Sequence, residues 1–329
     1  MDKNTYIAIM AGGVGSRFWP SSRESLPKQF LDILGVGKSL IQLTCERFQK
    51  MVPPENILVL TNKAYVGLVK EHLPQLPESN ILAEPSRNNT APCNALLALK
   101  IYQKNPEATL VIAPSDHVIL LEDAFLTNIS KAVKFVSATN SLATLGIQPT
   151  RPDTGYGYIQ MSDEVESGTF KVEQFKEKPD VETAKQYLSS GKYVWNAGIF
   201  IWKADQLIES FKKNAPDIIR VLSENIDKYN TSEEQEYIDR VYPDTPSISV
   251  DYAILERAEN VYTIPSDIGW SDLGTWNSLH AFLDKDNNKT VTVGAKTFLY
   301  ETKNSIIRTD SDKIVVIKGL ENFIVVDEP

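Results

Sequence analysis

Residues 10–30, MAGGVGSRFWPSSRESLPKQF, combine the close-set glycines Gly12, Gly13 and Gly15 with two cations, Arg17 and Lys28. Glycine backbone lets N–H groups approach an anion with no Cβ in the way. Arg17 can make bidentate contacts to phosphate oxygens, and Lys28, reached across the Pro20–Pro27 loop, adds a point charge. Together they suit a polyphosphate whose charge grows as a bond breaks. The spacing is neither GxGxxG nor GxxxxGK[ST], so the dinucleotide and P-loop readings lose their main support. The plainer alternative is a glycine turn beside solvated surface cations.

Five further stretches carry side chains of the right type. APSDHV closes the apolar run ATLVI, and Asp116 there can give one oxygen to Mg²⁺ while phosphates and water complete the octahedron. His117 beside it reads as structural, because Mg²⁺ prefers oxygen. In GWSDLGTW, Asp272 sits in a glycine-flanked aromatic turn. That position fits an Asx-turn or N-cap as well as a second metal ligand. FKEKP and WNAGIF hold Glu177, Lys178 and Asn196, able to meet sugar hydroxyls, a sugar phosphate and a polar ligand edge in turn; a solvated strand is the alternative for KEK. AEPSRNNTAP offers Asn and Thr to cap a helix starting near Ala91, and a helix N-terminus also suits a polar ligand.

Positioning these residues takes a scaffold, and the chain spells one. Short apolar runs alternate with amphipathic stretches: YIAIM, SLIQLTCERFQKMV, NILVLT, KAYVGLVKEHL, NILAEP, TAPCNALLALKIYQKN, ATLVIAP, EDAFLTNISKAVKFV, SLATLGI. This rhythm predicts an α/β domain with a doubly wound, Rossmann-like sheet and ligands at the carboxyl ends of the strands. After Pro149 the runs GYGYIQMSDEV, TFKVEQFKEKP and YVWNAGIFIW predict antiparallel strands that extend the first sheet, with the helix VETAKQYLSS between and helices at Ala204–Ala215 and Asp217–Tyr229 after them. Beyond the loop DKDNNKT lie only short β runs, which predict a small all-β tail of about two turns of a β-helix. The expected division is a catalytic domain, 1–285, and a tail, 286–329, whose abrupt end at VVDEP reads as a trimmed chain.

Composition narrows the partners. The 329 residues carry a formal charge of -9 with no Lys/Arg block, which argues against broad binding to nucleic acid or anionic membrane. The first apolar run is too short to span a bilayer and lacks the charged flank of a signal peptide, so the expected location is cytoplasmic. Cys45 and Cys93 have no CxxC spacing and read as buried small hydrophobes.

Taken in order, GGVGSRFWPSSRESLPKQF, EPSRNNTAP, PSDH, RPDTGYGYI, FKEKPD, WNAGIF, SVDYAILE and GWSDLGTW resemble the mannose-1-phosphate guanylyltransferases of the sugar-nucleotidyltransferase superfamily. The resemblance implies that GTP and mannose 1-phosphate yield GDP-mannose and pyrophosphate with Mg²⁺ or another divalent cation. It carries phosphate cradling onto Gly12, Gly13, Gly15, Ser16 and Arg17, pyrophosphate contact onto Lys28, and metal binding onto Asp116 and Asp272. It implicates Gly157, Glu177, Lys178 and Asn196 in sugar-phosphate binding, and Glu84, Asn89 and Thr90 in holding base and ribose. The family often has Gly-Arg before Asn-Thr, whereas this chain has Arg87-Asn88, so the resemblance leaves the role of Arg87 open. The tail resembles the family's short left-handed β-helix, which implies a homodimer. Two other readings stay open: a nucleotidyltransferase for another sugar 1-phosphate or nucleotide, and a non-catalytic nucleotide-binding regulatory subunit.

Overall fold

The computed structural model describes residues 3–166 and 168–328. The strands are β1 (Thr5–Met10), β2 (Ile57–Asn62), β3 (Ile81–Glu84), β4 (Thr109–Pro114), β5 (Val118–Ile119), β6 (Leu142–Ile147) and β7 (Tyr158–Glu166). They continue with β8 (Thr169–Lys176), β9 (Tyr193–Lys203), β10 (Val261–Ser266), β11 (Trp270–Ser271), β12 (Val291–Tyr300), β13 (Ile306–Lys318) and β14 (Ile324–Val326). The chain groups into two compact units. One comprises the residues up to Gly12, Cys45–Pro114 and Leu120–Gly269; the other comprises Gly13–Thr44, Ser115–Ile119 and the residues from Trp270 onward.

The first unit contains a nine-stranded mixed sheet in the order β3-β2-β1-β4-β9-β6-β10-β8-β7. The strands β1 to β4 pair in parallel, as their buried apolar runs predict, and the later strands extend the same sheet. Entry of β9 between β4 and β6 makes both of those pairings antiparallel. Alternate residues of a strand face opposite sides. In β1, Tyr6 and Ala8 join a core with the helices Thr90–Lys104 and Ala204–Asn214, while Ile7 and Ile9 are equally buried on the other side. Burial of both faces is what a doubly wound sheet requires.

The predicted helices appear, with one correction. The helix expected over Asp217–Tyr229 runs only from Pro216 to Leu222, and a short turn, Ile226–Lys228, follows. Its apolar positions Ile218, Ile219 and Leu222 lie in the first turns, whereas Ser223, Glu224 and Asn225 give the chain nothing to bury and favour a cap or bend.

The second unit has a smaller core in which Phe18, Ile33, Leu40, Leu273, Leu279 and Ile306 pack together. Its β5 and β11 pair antiparallel. In the tail, β12, β13 and β14 stack in parallel, with Val291 beside Ile306 and Ile306 beside Ile324. Parallel strands reached through such short connections form by coiling in the manner of a β-helix. No described helix is long and apolar enough to cross a membrane.

Candidate functional site

The glycine loop of the second unit is built around Lys28. Its backbone N–H donates to the Val14 carbonyl, and the Gln29 side chain donates to the Gly13 carbonyl. Gly15 has φ 69°, in the left-handed region, and a Cβ there would lie 2.5 Å from Lys28 Cβ. Glycine at position 15 therefore serves both the turn and the close approach of Lys28.

Lys28 is 3% exposed, and a buried ammonium needs compensation. Its Nζ donates to Asp116 Oδ2 at 2.9 Å and to the Asp272 carbonyl oxygen at 2.6 Å. Asp116 lies in the turn two residues after β4 ends, and Asp272 follows directly on β11. Burial opposes ionisation of Asp116, but the Lys28 ammonium and His117 hold its carboxyl below the ordinary range, so it is a carboxylate at neutral pH. The Asp272 carboxylate accepts the Gly274 N–H at 3.0 Å, the Asx-turn that its local sequence predicts. A Cβ at Gly274 would lie 2.6 Å from Asp272 Oδ2, so glycine there leaves room for that carboxylate.

Gly15, Arg17, Lys28, Asp116, His117 and Asp272 line one cavity of about 110 Å³. Arg17, which lines it, and the neighbouring Ser16 are exposed. His117 is held structurally: its Nδ1 accepts from Trp270 Nε1 at 3.1 Å, and the two rings meet edge to face. The cavity offers two aspartate side chains and no sulfur. Among the described residues no group of three or more His, Cys, Asp or Glu could hold a metal by itself. Two carboxylates fit a hard divalent cation that takes its remaining oxygens from phosphate and water, as Mg²⁺ commonly does.

The first unit holds Gly12, where a Cβ would lie 3.6 Å from Glu84 Oε2, and the other predicted residues in two groups. Gly157, Glu177 and Asn196 form one: a Cβ on Gly157 would lie 2.6 Å from Glu177 Oε2, and the Asn196 N–H donates to the Gly157 carbonyl at 2.8 Å. Lys178, with φ 43°, is largely exposed and pairs with Glu177 at 3.1 Å. The second group lies at the end of β3. Glu84 is buried, and its Oε1 accepts the Tyr242 O–H. Burial pushes the Glu84 carboxyl up to about 7, against the opposing pull of hydrogen bonds from Tyr242 and Cys93. Asn89, with φ 67°, caps the helix Thr90–Lys104 through its side chain, and the Thr90 hydroxyl accepts the Val250 N–H at 2.9 Å. The capping role predicted for this stretch is real. Arg87 donates to the hydroxyl of the buried Tyr65 at 2.8 Å and lies over that ring.

Two polar residues of these groups lie outside the sequence reading. Tyr242 has no motif around it and becomes visible only as the buried partner of Glu84. Asp251 lies within SVDYAILE, but its partner Asn196 is distant in the chain, so the motif gave no hint of what it contacts.

Residues 7–289 match the family model described as nucleotidyl transferase, and the chain belongs to that family. The mannose-1-phosphate guanylyltransferase of Salmonella montevideo is 39% identical over 330 residues, which cover 97% of this chain and 68% of that relative. The crystal structure of mannose-1-phosphate geranyltransferase from Thermus thermophilus superposes with a TM-score of 0.89 at 30% identity, covering 99% of this chain and 93% of that one. The crystal structure of mannose-6-phosphate isomerase from Helicobacter pylori superposes with a TM-score of 0.65 at 26% identity, over 81% of this chain and 99% of that one.

Proposed function

We propose that this chain transfers GMP from GTP to α-D-mannose 1-phosphate, giving GDP-mannose and pyrophosphate. The observation that supports this reading is the cluster on one small cavity of Lys28, paired with Asp116 and with the Asp272 carbonyl, and the two aspartates, a set that suits a polyphosphate and a divalent cation. The relative from Salmonella supports the choice of substrates.

A phosphate oxygen of the sugar phosphate attacks the α-phosphorus of GTP, a new P–O bond forms, and the bond from that phosphorus to the β-phosphate bridging oxygen breaks with pyrophosphate leaving. The nucleophile is already an anion at neutral pH, so no general base is required. Catalysis is then mostly placement and charge compensation. Lys28 and Arg17 stabilise the charge that builds on the leaving pyrophosphate. The loop residues Gly12, Gly13, Gly15 and Ser16 supply backbone and hydroxyl donors to the triphosphate. Asp116 and Asp272 are the residues that would hold Mg²⁺ or another divalent cation, which offsets the repulsion between the two phosphates when bound.

In the same reading Gly157, Glu177, Lys178 and Asn196 receive the sugar phosphate, and Glu84, Asn89 and Thr90 the base and ribose. Residues 1–285 act as the catalytic stretch and 286–329 as a β-helical tail that pairs two copies, in the cytoplasm.

The decisive experiment is pyrophosphate release with each of the four common NTPs, with and without mannose 1-phosphate, in Mg²⁺ and in EDTA. Release confined to GTP and dependent on both sugar phosphate and cation is expected. Release with another nucleotide moves the protein to a sibling specificity. No release with any sugar phosphate, or conversion of mannose 6-phosphate instead, overturns the reading.

A further inference from the structure

SVDYAILE, residues 249–256, carries the buried carboxyl group of Asp251. Asp251 opens a π-helical turn, Asp251–Leu255, a geometry that recurs at functional sites. Its Oδ1 accepts the Asn196 side-chain amide, Nδ2, at 2.7 Å. At its other end, Asn196 Oδ1 accepts the Gly198 N–H at 3.0 Å. Flipping the amide would face its oxygen to a carboxylate and its N–H groups to another N–H, so both partners select one orientation.

Asp251 is itself held in place. Just before it, the Val250 N–H donates to the Thr90 hydroxyl at 2.9 Å, and the Ile248 carbonyl accepts the Ala91 N–H at 3.0 Å. The segment 248–251 is thus tied to the N-terminus of the helix Thr90–Lys104 on one side and to Asn196 on the other. Burial and the nearby Glu177 charge raise the Asp251 carboxyl above its ordinary value, while the Asn196 hydrogen bond opposes them.

We infer that Asp251 is a positioning residue for the sugar-phosphate subsite: it holds the Asn196 amide so that its second amide hydrogen is presented as a donor to a hydroxyl or phosphate oxygen of the sugar phosphate. This rests on the subsite assigned to Glu177 and Asn196 under the proposed function. Asp251 acts through Asn196 and leaves the nucleotide's affinity alone.

Steady-state kinetics on the full chain, varying mannose 1-phosphate and GTP separately, test it. Asp251→Ala is expected to raise KM for mannose 1-phosphate about tenfold, the loss of one charge-assisted hydrogen bond, with KM for GTP changed less than about twofold. In an Asn196→Ala background the same change should add less than about twofold, because coupled residues are not additive. Fully additive effects, or equal rises in both KM values, overturn the inference. Asp251→Asn keeps the size and an acceptor oxygen, so it should stay within about threefold of the parent. A tenfold loss in Asp251→Asn at an unchanged melting temperature also overturns it, and this variant decides the matter if Asp251→Ala does not fold. Glu177→Gln runs in parallel. If it leaves KM for mannose 1-phosphate unchanged, the subsite reading itself fails. If it raises that KM while Asp251→Ala does not, only the positioning role is lost.

Discussion

The two units treat their carboxylates in opposite ways. In the second unit, Asp116 meets the buried ammonium of Lys28 and its carboxyl is held below the ordinary range. In the first, Asp251 meets a neutral amide, with the Glu177 charge nearby, and its carboxyl is raised. Lys178, the cation paired with Glu177, is largely exposed. Charge paired with charge stores a strong local field, suited to phosphates and a metal ion. Carboxylates and amides linked by hydrogen bonds provide directional donors and acceptors, suited to hydroxyl groups. On the proposed function, the first arrangement suits charge compensation and the second geometric recognition.

The sharpest way to break this contrast is Asp116→Asn. In the proposed function Asp116 would hold the cation that offsets the phosphate charge, so the variant should lower kcat by ~10²–10³ at fixed Mg²⁺. It also leaves Lys28 without its ionised partner, so the melting temperature should fall as well. Near-parental turnover in a folded variant would remove Asp116 from the chemistry. Lys28→Ala should impair GTP turnover more than the KM for mannose 1-phosphate, and unchanged GTP kinetics would count against its role.

On the other side, Glu177→Gln should raise KM for mannose 1-phosphate by about tenfold, worth about 1.4 kcal/mol, while kcat moves far less. If kcat collapses instead, the first unit's cluster also handles developing charge and the contrast is wrong.

Smaller effects are readable in stability. Glu84 has a folded value of about 7 against an ordinary 4.5, so the folded state binds its proton more tightly than the unfolded chain does. Its contribution is fully present below the ordinary value and is lost as pH rises through about 7. Glu84→Gln does not titrate. Its melting temperature relative to the parent should therefore climb between pH 5 and pH 8, by roughly 2–4 °C for each kcal/mol recovered. A difference that stays flat across that range would show that Glu84 is ionised in the folded protein. Last, His117→Ala should change kcat by no more than about threefold, since its ring supports Trp270 and an oxygen-seeking cation has little use for imidazole. A loss comparable with Asp116→Asn would make His117 a participant.

The cation cluster was the more legible of the two in the sequence. Gly15, Arg17 and Lys28 are close neighbours along the chain, and each residue type has a narrow use near phosphate. Asp116 and Asp272 each end a short strand in a turn, which the apolar run ATLVI and the glycines of GWSDLGTW announce. The second cluster was only half legible. Glu177 and Asn196 stand in recognisable motifs, but the link to Asp251 spans 55 residues and the link from Glu84 to Tyr242 spans 158. No local pattern encodes such a pair, because sequence periodicity reports which face a residue buries and not what it meets there.

The sequence by itself determined the alternation of strands and helices, the glycine loop with its two cations, and the carboxylates placed at strand ends. These follow from local sterics and from the spacing of apolar residues along the chain. Only the tertiary structure decided that β9 enters between β4 and β6, that Lys28 is buried against Asp116 and the Asp272 carbonyl, and that Asp251 grips Asn196. Those outcomes depend on which distant segments satisfy each other's hydrogen bonds and charges once buried, a condition that exists only in the folded chain.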